Sequence, residues 1–220
     1  LVGESGSGKT TMLLQAAREI ERSVRRDPER DPDQAPLSPM FWQTSGSRMI
    51  AGMRYLGQWE ERCEKVVSEL AEMDGILCAD SLIELLRVGG FDATDSVAAF
   101  LMPFLQHREL RMVTECSQAE LDAARRLLPG FVENFQILSL ASPAGPAAIA
   151  MLDQLARADR QNLRIEFEDA LPALVYRMHR RFLPQAAFPG KAAGFLHLLF
   201  ERAATAHKPR LSLADALEAF

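Results

Sequence analysis

A glycine-rich segment at the start of the chain constrains its fold more than any other feature. Residues 3–10 read GESGSGKT and fit the pattern G-x-x-x-x-G-K-[ST], which needs a strand before it and a helix after it. Leu1 and Val2 are apolar, and apolar residues recur at intervals of three and four from Thr10 to Arg26. The sequence therefore predicts a strand, a tight loop and a helix, in that order.

The residue types in this segment suit a bound phosphate chain. Its glycines let backbone N–H groups converge on phosphate oxygens, and the helix N-terminus adds positive potential. In loops of this kind the lysine, here Lys9, reaches the β- and γ-phosphates, and the next hydroxyl, here that of Thr10, ligates Mg²⁺. We therefore predict ATP and Mg²⁺ as cofactors. The residues predicted to contact the nucleotide in this segment are Gly3, Glu4, Ser5, Gly6, Ser7, Gly8, Lys9, Thr10 and Thr11.

A carboxylate for the magnesium ion follows a short apolar run. Ile76–Ala79 has the composition of a buried strand, and Asp80 comes directly after it. Ligands in open α/β sheets gather at the carboxyl ends of the strands. We expect Asp80 to act at the metal together with Thr10 and to belong to the catalytic set.

Strand and helix patterns alternate along the chain as far as residue 142. This alternation favours an α/β fold with a mostly parallel sheet, whereas only helical spacing follows Pro143. We predict an α/β nucleotide-binding subdomain at 1–142, a helical lid at 143–206 and a linker toward a further domain at 207–220, with a further helix from Lys208 to Phe220 as the alternative. The strands are predicted at Met40–Thr44, Ile76–Ala79, Leu110–Thr114 and Phe135–Leu140, and an acidic, proline-rich solvated loop at Asp27–Pro39.

Composition narrows the class of partner. The net charge of −5 and the pI near 5.5 give no basic footprint, which disfavours nucleic acid as a ligand. Cys63, Cys78 and Cys116 lack C-x-x-C pairing, which indicates reduced thiols and neither a disulfide nor a zinc framework. With no long apolar run and no secretory signal, the sequence predicts a cytoplasmic chain without a membrane partner. Its start, LVG, lacks an initiator Met, so we expect it to be part of a longer protein.

With these motifs placed, the sequence resembles the first nucleotide-binding domain of the Clp-type AAA+ unfoldases and disaggregases. Residues 50–62, IAGMRYLGQWEER, are similar to the substrate-gripping pore loop of that family. Leu101–Leu105 with Arg108–Leu110 resembles the helix and strand before its sensor 1, and residues 179–183 and 188–192 resemble its small lid. The likeness extends over nearly the whole chain.

The resemblance implies a P-loop NTPase fold of the AAA+ type, with helices on both faces of a parallel sheet and a C-terminal helical lid. It further implies ATP-dependent remodelling of a polypeptide substrate gripped by Tyr55, a self-associated ring that is hexameric in the family, and a second AAA+ domain downstream. A protease or an adaptor is a further possible partner. Ser117 matches the sensor-1 hydroxyl that orients water, and Ile149 and Pro189 match lid positions beside the adenine, where ordinary packing is an equal alternative.

Two departures from the family pattern concern hydrolysis. Ser81 stands where the family has the glutamate that polarises the attacking water, and losing such a base costs about 10²- to 10⁴-fold in rate. Glu133 and Asn134 stand where the family has arginine fingers, each worth about 10³- to 10⁵-fold. We therefore expect a domain that binds ATP and hydrolyses it weakly.

Alternatives remain open at both degenerate positions and for the function. Glu84 or Glu115 is a candidate replacement for the missing base, and the pair Arg125 and Arg126 for the missing fingers. The alternative function is a non-enzymatic assembly or interaction module that uses ATP as a structural cofactor. An AAA+ motor acting on nucleic acid is disfavoured by the acidic charge.

Overall fold

The computed structural model describes residues 1–25, 40–52 and 57–220. They form two compact units, of which the first contains Leu1–Gly3 and Lys9–Leu140 and the second contains Glu4–Gly8 and Ala141–Phe220. The predicted loop at 27–39 and the predicted pore-loop residue Tyr55 lie outside the described residues.

The first unit alternates helices with short parallel strands. Polar side chains start several of its helices: Ser45 caps α2, Ser81 caps α4 and Ser96 caps α5, each accepting a hydrogen bond from a backbone N–H three residues on. The elements are α1 (Lys9–Arg25), β1 (Phe41–Thr44), α2 (Gly46–Ile50), α3 (Gln58–Glu72), β2 (Ile76–Ala79), α4 (Leu82–Leu85), α5 (Val97–Gln106), β3 (Arg111–Thr114) and α6 (Gln118–Leu127).

The sheet places the start of the chain in its interior. β1 pairs with β2, and β2 with β3, all in parallel. Val2 then forms parallel bridges to Cys116 on one side and to Ser139 on the other. The order across the sheet is therefore β1, β2, β3, Val2 and Ser139, which confirms the predicted α/β class with a parallel sheet.

The predicted strand at 135–140 is reduced to the bridge at Ser139, flanked by two backbone hydrogen bonds. Val2 N donates to Leu138 O at 2.9 Å, and Leu140 N donates to Val2 O at 2.7 Å. Val132–Asn134 forms a 3-10 turn just before this segment. Asn134 donates from its amide to Gly130 O and Phe131 O, so local bonds hold the chain in a turn before it reaches the sheet.

Apolar side chains from the strands and surrounding helices fill the core of the first unit. Leu77 in the central strand β2 is 2% exposed, and Leu85, Leu101 and Phe131 are fully buried. All three cysteines are free and buried in this unit. Burial raises the pKa of Cys63 and Cys78 to about 11, and it also raises the pKa of Cys116.

The second unit is mostly helical. Its core is formed by fully buried side chains that include Leu152, Leu171, Leu196 and Phe200. No helix among the described residues is long and apolar enough to cross a membrane. Its elements are α7 (Gly145–Leu163), β4 (Glu166–Phe167), α8 (Leu171–Phe182), α9 (Gly190–Thr205), β5 (Arg210–Leu211) and α10 (Leu213–Ala219).

Residues 207–220, predicted as a linker, instead contain β5 and α10. β5 pairs with β4 in parallel, and Leu211 and Ala216 are buried in the core of the helical unit. A capping box between Ser212 and Asp215 starts α10. The segment is therefore ordered by burial of a few apolar side chains and by its own cap.

We expect Leu77→Ala to lower the free energy of unfolding by about 2–5 kcal/mol, because it leaves a cavity in the central strand. Phe91, which is 99% exposed, provides the control, and Phe91→Ala is expected to change that free energy by less than about 0.5 kcal/mol. Urea denaturation followed by circular dichroism measures both. Equal effects would contradict the described core.

Candidate functional site

The glycine-rich loop turns sharply within Glu4–Gly8. Ser7 N donates to Glu4 O at 3.0 Å, and both Gly6 and Gly8 have φ near +90°, a backbone conformation that L side chains rarely adopt. A Cβ at Gly8 would meet nothing within 4 Å, so the backbone conformation, and not space, demands glycine there. The sequence therefore uses glycine for the shape of the loop itself.

Ser7 carries a buried hydroxyl with no hydrogen-bond partner among the residues that the structure describes. Its side-chain oxygen is shielded, and the residue is 5% exposed. Buried polar atoms in native proteins nearly always have a partner, so an orphaned hydroxyl in a turn of this kind fits a ligand with oxygen atoms. The first turn of α1 contains no acidic residue that would repel such a ligand.

Gly6 and Gly190 contact each other within the second unit. Gly190 N donates to Gly6 O at 2.8 Å, and a Cβ at Gly190 would lie 2.8 Å from both Gly6 Cα and Gly6 O. Pro189, a predicted adenine-side residue, is half-buried and stands directly before this contact as the N-cap of α9. Ile149, the other such residue, is half-buried on α7. Their contact with a nucleotide stays a prediction.

Lys9 and Thr10 begin α1 and have different partners in the first unit. The ammonium of Lys9 donates to Gly3 O at 2.9 Å, which folds the side chain back along the loop. The hydroxyl of Thr10 donates to Glu115 Oε2 at 2.9 Å. Gly3 is itself fixed to the sheet, since its N–H donates to Cys116 O at 3.0 Å.

Asp80 lies exposed at the carboxyl end of β2, as predicted, and accepts a hydrogen bond of 2.7 Å from Gln43 Nε2 on the neighbouring strand β1. Ser81, predicted to stand where the family has a glutamate, caps α4 by accepting a hydrogen bond from Glu84 N at 3.3 Å. The Ser81 hydroxyl is therefore part of the helix start.

Glu84 and Ser117 are also engaged in local structure. Glu84 accepts from both the backbone N–H and the hydroxyl of Ser47, and these hydrogen bonds lower the pKa of its carboxyl group. Ser117 forms a capping box with Glu120, donating its hydroxyl to Glu120 Oε2 at 2.9 Å. The predicted role of Ser117 in orienting water stays a prediction, because this hydroxyl already has a structural task.

Glu133 and Asn134, predicted to stand at the arginine-finger positions, lie in a 3-10 turn. Glu133 is exposed, and the Asn134 amide donates to two backbone carbonyls of its own turn. Arg125 and Arg126 are exposed in the last turn of α6, where Arg125 lies 3.4 Å from Asp122. Cations favour that end of a helix in any case.

The described ends of the predicted pore loop are joined by one side chain. Arg62, on the first turns of α3, donates from Nη1 to Ala51 O at 3.1 Å. Gly57, which precedes α3, has φ +90°. Tyr55 itself lies between these points and outside the described residues.

No family model matches the chain, whereas individual proteins and structures do. The chaperone ClpB of Streptomyces albus G is 29% identical over 194 residues, 87% of this chain and 22% of that protein. ClpB of Porphyromonas gingivalis (strain ATCC BAA-308 / W83) is 27% identical over 223 residues, 99% of this chain and 24% of that protein. The chain thus spans less than a quarter of the length of these relatives.

Among solved structures, a closed-state reconstruction of Hsp104 with ATPγS and FITC casein superposes with a TM-score of 0.81 at 22% identity, covering 99% of this chain and 37% of that one. The chain has the AAA+ domain fold of the Clp-type proteins. An S. cerevisiae Hsp104–casein complex agrees, with a TM-score of 0.77 at 21% identity over 97% of this chain and 35% of that one. The resemblance drawn from the motifs is confirmed.

Two partners in this AAA+ domain were not apparent from the motifs. Gln43 and Gly190 contact the motif residues Asp80 and Gly6, yet each is far from its partner along the chain. Glu115 was predicted only as one of two alternative replacements for the missing base. It directly follows an apolar run, however, which is the same pattern that identified Asp80. Strand order, which the sequence leaves open, decides between such candidates.

We expect Gly190→Ala to lower the free energy of unfolding by about 1–3 kcal/mol, because the added methyl group would press on the Gly6 backbone. The amide NMR signals of Gly6 and Ser7 are expected to shift as the loop gives way. Gly194→Ala is the control in the same helix, since a Cβ there meets nothing within 4 Å. It is expected to be neutral or to stabilise by about 0.5–1 kcal/mol. If Gly190→Ala changed neither the free energy of unfolding nor the amide signals, the contact between Gly190 and Gly6 would be contradicted.

Proposed function

We propose that this chain is an ATP-binding AAA+ module of a Clp-like protein-remodelling machine, corresponding to the first nucleotide-binding domain of that family, and that it hydrolyses ATP weakly. The observation that carries the proposal is the intact loop, with left-handed Gly6 and Gly8 and the orphaned, buried hydroxyl of Ser7, in a fold shared with Hsp104. The solved Hsp104 structure of that fold contains ATPγS.

The donor set fits a triphosphate with Mg²⁺. Backbone N–H groups at the start of α1 have no intrahelical acceptor, and Lys9 supplies a positive charge beside them. Thr10 offers a hydroxyl to the metal, and Asp80 and Glu115 offer carboxylates at the same edge of the sheet. When bound, Mg²⁺ would neutralise charge on the β- and γ-phosphates. Hydroxyl, carboxylate, phosphate and water oxygens are the ligands that Mg²⁺ prefers.

Weak hydrolysis is supported by what occupies the two catalytic positions. The Ser81 hydroxyl is neither anionic nor basic near neutral pH, and it caps α4. Glu133 has the wrong sign of charge for a transition state that gains negative charge. Glu84, one alternative base, is held by Ser47.

We expect Lys9→Ala to weaken ATP binding by about 30-fold or more, because truncating one partner of a desolvated charge pair costs about 2–5 kcal/mol. Lys65→Ala removes an exposed lysine from α3 and is expected to bind like the wild type. Fluorescent-nucleotide titration gives the affinities, and a phosphate-release assay on the same samples gives the turnover. Tight ATP binding with turnover near background fits the proposal. Rapid turnover would contradict weak hydrolysis and leave the proposal of ATP binding unaffected.

The proposed partner is an unfolded polypeptide, with Tyr55 as the gripping residue in a ring of identical domains. We expect Tyr55→Ala to weaken binding of fluorescein-labelled casein in the presence of ATPγS by about 2- to 10-fold, the range of one aromatic contact. Tyr55→Phe keeps the ring and is expected to retain most of the affinity. Fluorescence anisotropy measures both variants, and loss in Tyr55→Phe alone would contradict an aromatic grip.

A second candidate is an assembly module in which ATP is a structural cofactor. It is favoured by the engagement of Ser81 and Asn134 in capping and turn bonds, which leaves both catalytic positions in structural roles. In that case Tyr55→Ala binds casein as the wild type does, or neither binds it, while nucleotide still promotes self-association seen by light scattering.

A further inference from the structure

Two carboxylates follow paired positions at the carboxyl edge of the sheet. Ala79 at the end of β2 pairs with Thr114 at the end of β3, and Asp80 and Glu115 are the next residues. β3 lies directly beside the Val2 strand that leads into the glycine-rich loop, whereas β2 lies one strand further away. Neighbouring strands are about 4.8 Å apart. Glu115 therefore follows the strand that lies next to Val2.

The two carboxylates accept hydrogen bonds from different parts of the first unit. Glu115, which is 8% exposed, accepts from the Thr10 hydroxyl at 2.9 Å. Asp80 is exposed and accepts from Gln43 on β1, the strand on the far side from the loop. The motif hydroxyl is thus paired with the acid that follows β3, and not with the one that follows β2.

We propose that Glu115, and not Asp80, is the carboxylate that supports Mg²⁺ at Thr10. This inference rests on the proposed function, because it requires nucleotide and metal at the loop. A hydroxyl that donates its proton to a carboxylate keeps its oxygen lone pairs for a cation. Glu115 accepts the Thr10 hydrogen bond at Oε2, which orients the hydroxyl, and it adds a buried negative charge that favours the cation. It is a positioning residue for the metal ligand.

The assignment agrees with weak hydrolysis. A carboxylate that accepts a hydrogen bond from Thr10 lies beside the metal ligand. It does not replace the catalytic base that is missing at position 81. Glu115 thereby takes over a binding task, and the catalytic deficit at Ser81 stays. Tight metal-dependent binding without turnover is the combination that results.

The test compares nucleotide affinity with Mg²⁺ and with EDTA, using a fluorescent ATP analogue, and takes the ratio as the gain due to the metal. Glu115→Gln keeps the shape of the side chain and removes its charge. We expect it to reduce the gain by about 10- to 100-fold, the usual cost of losing the partner of a metal ligand, while affinity in EDTA is retained. Retained affinity in EDTA also shows that the variant is folded.

Three further variants sharpen the assignment. Asp80→Asn is expected to lose less of the gain than Glu115→Gln does. Glu109→Gln removes an exposed charge before the opposite end of β3 and is expected to change nothing. Thr10→Val removes the hydroxyl, and Glu115→Gln is expected to have little further effect in that background because the two residues act through one hydrogen bond.

Two results would overturn the assignment: a loss in Asp80→Asn equal to or larger than that in Glu115→Gln, or a gain that rises in Glu115→Gln because the hydrogen bond withholds Thr10 from the metal. Wild-type protein that binds nucleotide in neither condition would overturn the proposed function as well. Electron paramagnetic resonance of Mn²⁺ in the nucleotide complex gives an independent readout, and its signal is expected to change in Glu115→Gln and not in Glu109→Gln.

Discussion

The insertion of Val2 between β3 and the segment at Ser139 determines where the functional candidates lie. Backbone hydrogen bonds hold it there, because Val2 bonds to Leu138 and Leu140 while its neighbours Leu1 and Gly3 bond to Cys116. Because these strands run parallel, their carboxyl ends share one edge, and the glycine-rich loop emerges at that edge beside β3. Strand order therefore decides which acid follows the strand next to Val2 and lies within hydrogen-bonding distance of Thr10.

Much of the polar chemistry at this edge serves local structure. Ser81 and Ser117 cap the helices that follow β2 and β3, and Asn134, which precedes the segment at Ser139, closes a turn away from this edge. Such caps are each worth about 1 kcal/mol, so the groups that a hydrolytic site would need are stabilised in other roles. The hydrogen bond between Thr10 and Glu115 instead joins the start of α1 to the sheet across 105 residues of chain.

Features set by short-range rules were predictable from the sequence. The loop, α1 and the strand before Asp80 follow from glycine, lysine and apolar spacing within a few residues. The partners of Thr10 and Gly6 could not be predicted in this way, because they lie on a strand and a helix that are distant along the chain. The segment 207–220 was predicted as a linker although Leu213, Ala216, Leu217 and Phe220 recur at helical intervals, and the burial of Leu211 and Ala216 depends on helices from elsewhere in the second unit.

The three free cysteines are buried, which lowers the reactivity of their thiols. Burial raises the pKa of the Cys63 and Cys78 thiols to about 11, so little of the reactive thiolate is present at neutral pH. An exposed cysteine of ordinary pKa holds a few per cent. We therefore expect peroxides and maleimides to react slowly with these three thiols. A single cysteine introduced on the surface can then be modified selectively.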